Sequence, residues 1–368
     1  MRRRLIFIKT IKNNYVKNIF LISVIIYAVV FLTSCDNQEH QTDDFINKNR
    51  LVTSIAEMDF DITLRELPSS DIGQGIALGA FPGLENTLDE TCPDGCWGSF
   101  ILETPQDILT VNVMNYNSVK VNFMLKLFYN YEEVSFKILG SDDFKTEFLF
   151  ALDAGIDADI HLQLEDNLEI NEYLNKLTVS LFSMPEYYAG LASWERVDDM
   201  SNMVINFELS YGFDTPNLLQ LESSTLQVQT LLTDVGWFGV NIIDSVNLND
   251  PDDIIFPSNL IHGNPGEVLE LGFLTDLSDS TEELLESYLL LALLDWQQID
   301  INDSAYLFVL IDDNPESFVN YGRFFVTLPE EPGRYELILV GIPNPTALNT
   351  QANYFPLETS QRITIQVE

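Results

Sequence analysis

Histidine, cysteine and carboxylate carry most acid–base and metal chemistry, and this chain spends them unevenly. Its three histidines are His40, His161 and His262. None has a second histidine four residues away, and no His-Glu-x-x-His occurs, so the helical zinc-hydrolase pattern is absent. No Gly-x-Ser-x-Gly elbow and no phosphate-cradling Gly-rich loop appears. His161 falls on the polar side of an alternating run, His262 in the loop-like stretch from Asn259 to Gly266, and His40 in a polar N-terminal stretch. Two carboxylates could hydrolyse a glycosidic bond, but with 57 Asp and Glu some pair must meet, so their abundance selects none. No residue is assigned a catalytic role, and a non-enzyme is expected.

Cys92 and Cys96 enclose Pro93-Asp94-Gly95. Pro-Asp-Gly is turn chemistry that returns the chain on itself. In an exported protein so close a pair reads as a disulfide. Such a small loop gains only about 2 kcal/mol from chain entropy, enough to pin a loop and not to hold a domain. The alternative is a thiol pair that binds copper or exchanges disulfides. Cys-Pro-Asp-x-Cys is similar to the copper site of Sco-type chaperones, though only over five residues, without that family's alternating strands and helices.

The export reading comes from the leader. Arg2, Arg3, Arg4, Lys9, Lys12 and Lys17 form a basic head with no acid, and Ile19 to Leu32 is almost wholly apolar. That run is shorter than the roughly 20 residues a spanning helix needs. A basic head, short apolar core and small residues read as an export signal. Leu32-Thr33-Ser34-Cys35 resembles the bacterial lipobox. The resemblance implies cleavage before Cys35, acyl chains on Cys35 and an outward-facing, membrane-anchored protein. The expected parts are a signal peptide over 1–35 and a flexible polar tether over 36–54.

Charge narrows the partners. The whole chain carries −39; after Cys35, 12 basic residues face 57 acidic ones, a net of −45. From Val197 to Gly322 there is no Lys or Arg against 23 Asp or Glu. Nucleic acid is excluded as a partner, because phosphate binding needs a basic surface. The acidic surface favours a basic protein or cationic ligand, or is simply a solvated face.

Hard cations take several oxygens from one loop. Asn247, Asn249, Asp250, Asp252 and Asp253 crowd one such loop. Asp300-Ile301-Asn302-Asp303 is a second candidate, faintly similar to the linker of cadherins. Neither has EF-hand spacing, and Asp and Asn also simply make turns. Calcium at Asp250, Asp252 and Asp253 is the one cofactor suggested, and none is assigned. Among the tryptophans, Trp194 is the better candidate for an exposed sugar platform, whereas Trp296 ends an apolar run and reads as core.

The elements that must position any site are strands. Val119 to Tyr131 is apolar at every odd position, with Lys120, Asn122, Lys126, Asn130 and Glu132 between, the period of a half-buried strand. Ala158, Ile160, Leu162 and Leu164 alternate with Asp159, His161, Gln163 and Glu165; Leu177 to Leu181 and Met203 to Tyr211 repeat the pattern. Leu289 to Leu294 is continuously apolar and favours a buried strand. Ser280-Thr281-Glu282-Glu283 opens one short helix. Many strands with few helices predict an all-β chain of two tandem antiparallel sandwiches, 55–213 and 214–368.

Glu331-Pro332-Gly333-Arg334-Tyr335-Glu336-Leu337, followed by a long apolar strand, resembles the E–F corner of bacterial immunoglobulin-like surface domains. The resemblance implies that the Tyr335 hydroxyl bonds back to the upstream backbone. It also implies a sandwich used for binding or spacing outside the cell. The expected function is therefore non-catalytic binding or assembly at a bacterial envelope. The alternatives are a transporter's solute-binding lipoprotein, which would need more helix, and a carboxylate-based envelope hydrolase.

Overall fold

The period-two runs form strands that close into sheets. The computed structural model describes residues 46–47, 50, 52–69, 72–73, 75–84, 99–166, 168, 173–192, 202–211, 217–221, 229–231, 239–244, 255–276, 287–310, 319–347 and 357–368. All strands lie in one compact unit, Asn47–Glu368. The first twelve are β1 Ile62–Glu66, β2 Ile76–Pro82, β3 Ser99–Leu102, β4 Leu109–Asn115, β5 Val121–Tyr129, β6 Glu132–Glu133, β7 Phe136–Ile138, β8 Phe148–Leu152, β9 Ile156–Leu164, β10 Tyr173–Ser183, β11 Asn202–Tyr211 and β12 Asn217–Leu218. The rest are β13 Gln229–Leu231, β14 Gly239–Ile243, β15 Leu260–Gly263, β16 Val268–Asp276, β17 Ser287–Leu294, β18 Gln297–Ile299, β19 Leu307–Leu310, β20 Val319–Thr327, β21 Gly333–Pro343, β22 Glu358–Thr359 and β23 Ile363–Val367. No α-helix occurs among the described residues, and none of their helices could cross a membrane.

Four sheets result. The first runs β1-β9-β4-β2 with β7 also on β9, and the second runs β3-β11-β10-β5-β6 with β8 on β5 and β12 on β10. The third runs β13-β20-β16-β14, and the fourth runs β15-β23-β21-β17-β18 with β19 on β17 and β22 on β21. Pairing is antiparallel except where β3 meets β11, β12 meets β10 and β15 meets β23. The second and fourth sheets thus share one strand order, down to a parallel edge strand at the same end. The fold is all-β and antiparallel in its sandwiches, as the alternation predicts.

Alternation explains the layers. Val111, Val113, Ile160 and Leu162 of the first sheet face Leu125, Leu127, Val179 and Leu181 of the second in one core. Leu271, Phe273 and Phe324 of the third face Leu290, Leu337 and Leu339 of the fourth in another. A third apolar layer joins the second sheet to the fourth: Met124, Phe128 and Phe182 pack with Leu289, Leu291, Leu293, Trp296 and Ile338. Each such side chain contributes about 1.5–3 kcal/mol by leaving water.

That third layer corrects one reading. The even positions of β5 are not a solvated face, since Met124, Lys126 and Phe128 are all fully buried. A sheet sandwiched on both sides has no solvent face, so the polar residues there must find partners; Lys126 pairs with Glu133. The same burial explains why β17 reads as a continuous apolar run. Tyr131 lies beyond the strand, in a two-residue turn with positive φ at Asn130 and Tyr131. Asp295 and Trp296 repeat that turn after β17. Both are hairpin turns whose backbone twist matches the flanking strands.

The Tyr335 hydroxyl donates to the Glu331 carbonyl at 2.7 Å, the back-bond its corner motif implies. The expected boundary at 212–216 and the expected helix at 280–283 lie outside the described residues.

Candidate functional site

The outer face of the first sheet carries a cavity of about 710 Å³. Its floor follows from strand period and register. Thr63 of β1 is opposite Asp159 of β9, and Arg65 is opposite Asp157. Asn112 and Thr110 of β4 are opposite Asp159 and His161. These positions alternate with the inward-facing core residues, so all their side chains share the outer face. Phe81, Leu84 and Met114 add apolar side chains to the lining, whereas Ala80, opposite Val111, turns its side chain to the core.

The floor is a closed polar lattice. The Asn112 side-chain amide donates to Asp157 Oδ1 at 2.5 Å and to Asp159 Oδ1 at 2.7 Å. Arg65 donates from Nε to Asp157 Oδ2 at 2.9 Å and pairs through Nη1 with Asp159 Oδ2 at 2.7 Å. All four carboxylate oxygens are therefore engaged, two by Asn112 and two by Arg65. The carboxylates are buried while Arg65 is half exposed, with side-chain exposures of 10%, 5% and 49% for Asp157, Asp159 and Arg65. Hydrogen bonds first to Asp159 and then to Asp157 raise the Arg65 pKa above its ordinary value.

His161 is 3% exposed, and its tautomer is fixed by its neighbours. The Thr110 hydroxyl donates its one proton to the Gly83 carbonyl at 2.5 Å. His161 Nδ1, 2.8 Å from the same oxygen, must therefore carry the hydrogen of that bond. In the neutral ring Nε2 is then an acceptor. Its neighbour Thr63 Oγ1 is 3.5 Å away, too long for a strong bond.

This geometry holds and orients better than it reacts. His161 is set by hydroxyls, and the carboxylate pair is already spanned by Arg65 and Asn112. Buried groups whose bonds are made in advance keep one geometry and lose little on meeting a ligand.

Buried charges elsewhere tie the second sheet to the fourth. Lys176 Nζ bonds Glu208 at 2.9 Å and the Ala347 carbonyl at 2.6 Å. Arg362 bonds Glu336 at 3.2 Å and reaches the carbonyls of Ser183, Met184 and Tyr187. Burial lowers the pKa of Lys176 and Arg362 and raises that of Glu336, and the ion-pair partners oppose each shift.

Several sequence candidates, Cys35, Cys92, Cys96, Asp250, Asp252 and Asp253, lie outside the described residues, as do His40 and Trp194. Among the described residues no group of three or more His, Cys, Asp or Glu is placed to hold a metal. Asp300–Asp303 is a turn. Ile301 and Ser304 exchange backbone bonds at 2.7 and 3.1 Å across positive-φ Asn302 and Asp303. Asn302 Oδ1 is taken by the Phe325 amide at 3.0 Å. Trp296 is core, 5.1 Å from the Phe182 ring and 4.7 Å from the Arg362 guanidinium. His262 is exposed, 3.3 Å from Glu368. Sequence reasoning saw Asp159 and His161 only as a strand's polar side, and missed Arg65 and Asn112. The signal was the i, i+2 polar row of β9; its partners come from distant strands, by register.

No family model matches the chain, and no curated relative matches it. Solved structures do show likenesses. The C-terminal domain of the AgI/II polypeptide BspA of Streptococcus agalactiae is 10% identical over 73% of this chain and 95% of that one, with a TM-score of 0.23. The C-terminal domain of the antigen I/II-family protein AspA of Streptococcus pyogenes is 10% identical over 84% and 99%, at 0.21. The Yersinia pseudotuberculosis adhesin InvE is 10% identical over 82% and 60%, at 0.19. Likenesses at this level constrain neither fold nor function.

Proposed function

We propose that this chain is a non-catalytic binding protein of a bacterial envelope, exported, held at the membrane by lipid on Cys35, and engaging its ligand at the outer cavity of the first sheet. The observation that carries the reading is the floor of that cavity. Arg65, Asn112, Asp157 and Asp159 from β1, β4 and β9 are locked to one another before any ligand arrives, and His161 is held by Thr110, beside apolar lining residues. Concave, largely preformed sites with a few fixed polar groups are what ligand binding requires. The leader and its lipobox resemblance support export and anchoring.

The test uses the full chain purified in detergent, incubated with intact cells of its own source stripped of the endogenous protein. The wild type is expected to bind saturably, and Thr63→Ala, an exposed and uncharged lining position, to lose at least tenfold in affinity with an unchanged melting temperature. Equal binding by both would place the function elsewhere.

A further inference from the structure

We propose that the outer cavity takes a neutral sugar ring. The inference rests on the cavity being the binding site and names the class of ligand that the site fits.

Asp157 and Asp159 are both spanned by Arg65 and Asn112, so the site offers a cation no unpaired carboxylate, and an anion only a guanidinium already committed to two carboxylates. An anion would also meet Asp61 at the lining and a chain of net charge −39. What remains unspent is hydrogen-bonding capacity. Each Asp159 oxygen keeps a second lone pair, Arg65 keeps Nη2, and the Thr63 hydroxyl and His161 Nε2, 3.5 Å apart, are only weakly engaged with each other.

Donors and acceptors alternate over a patch spanning about 4.8 Å between strands and about 6.8 Å from residue i to i+2. A sugar ring presents hydroxyls that each donate and accept at comparable spacing. Water or a simple amine offers no such array. Burying those hydroxyls costs free energy unless each finds a partner, and this floor supplies partners of both kinds.

Phe81, Leu84 and Met114 give the cavity apolar lining beside its polar groups. A sugar ring has both characters, with hydroxyls at its edge and C–H groups on its face. About 710 Å³ lies within the range of small-ligand sites.

The experiment probes the full chain in detergent against immobilised neutral, acidic and amino-bearing glycans and a lysine-rich peptide. The variants are Thr63→Ala and Arg65→Gln. The expected result is retention on at least one neutral glycan, competed by its free sugar and weakened at least tenfold by both variants. Should Arg65→Gln fail to fold, Thr63→Ala, an exposed and uncharged position, decides alone. Retention only on charged glycans or on the peptide, still lost with the variants, overturns the neutral sugar and leaves the cavity as the binding site. No neutral glycan retained, or retention indifferent to both variants, overturns the inference outright; the cell-binding assay then decides whether the cavity reading survives.

Discussion

Lys176 and Glu336 stand at the same place in two sheets of the same strand order, and they carry opposite charges. Each is the fourth residue of an eleven-residue strand, β10 and β21. The carbonyl of each accepts a 2.7 Å bond from the first residue of a left-handed turn, Asn130 N in one case and Asp295 N in the other. Each buries an ion pair, to Glu208 and to Arg362. Each also bonds backbone across the third apolar layer: Lys176 to the Ala347 carbonyl, Glu336 from the Ala189 amide. The backbone frame is repeated and its charges are inverted.

Removing one partner of a buried pair leaves an uncompensated charge. Lys176→Met is therefore expected to cost about 3–5 kcal/mol of unfolding free energy, while pairing it with Glu208→Leu should recover most of that loss. Denaturant titration of the full chain checks both. A double variant as unstable as the single one would mean that the pair contributes net stability beyond satisfying its own charges.

Trp296 tests the layer itself. Its ring is buried between Phe182 of the second sheet and the Arg362 guanidinium beside the fourth. Trp296→Ala should cost about 3–5 kcal/mol by cavity formation. The loss falls on the layer that joins the two sandwiches, so calorimetry is expected to show one transition for the wild type and two for the variant. A single, merely lowered transition would show that their coupling does not depend on this layer.

Glu336 gives a pH dependence with a definite sign. Burial raises its pKa, and Arg362, Thr364 and the Ala189 amide oppose the shift. A raised folded pKa means that the folded state binds the proton more tightly. Its stabilising contribution is full below the unfolded value of 4.5 and is lost as pH rises through the folded value. The stability of wild type relative to Glu336→Gln should therefore grow as pH falls toward 4.5, measured by urea titration at several pH values. Growth in the opposite direction contradicts the assignment.

The cysteines divide by chemistry. Cys35→Ser should abolish incorporation of an alkyne-labelled fatty acid and release the protein from the membrane fraction. Cys92 and Cys96 should resist alkylation until reduced, and Cys92→Ser with Cys96→Ser should cost only about 2 kcal/mol. Thiols that alkylate freely in the exported protein would return the pair to metal or redox chemistry.

How much the sequence shows depends on how many rows of a strand are polar. β9 has one polar row, itself buried, so Asp159 and His161 alternate cleanly with Ile160 and Leu162 and the strand is legible. β17 has none, so it reads as an apolar run whose period is lost. Lys126 looks like a surface residue, yet it is fully buried because a second sandwich covers its face, which no local pattern encodes. Tyr335 is legible because its partner, Glu331, is four residues upstream. The candidate site was hidden for the converse reason. Arg65 meets Asp157 across 92 residues, and Asn112 meets it across 45, so only strand register brings them together.

The central claim is that the outer face of the first sheet is where this protein meets its ligand. The most direct measurement places a photo-cross-linking amino acid at Leu84, 51% exposed on the cavity, and at Val268, 58% exposed on the third sheet, in the full chain on intact source cells. A recurrent adduct at Leu84 that is absent at Val268 and disappears with Thr63→Ala is the predicted result. Adducts of equal yield at both positions, or at Val268 alone, would contradict it.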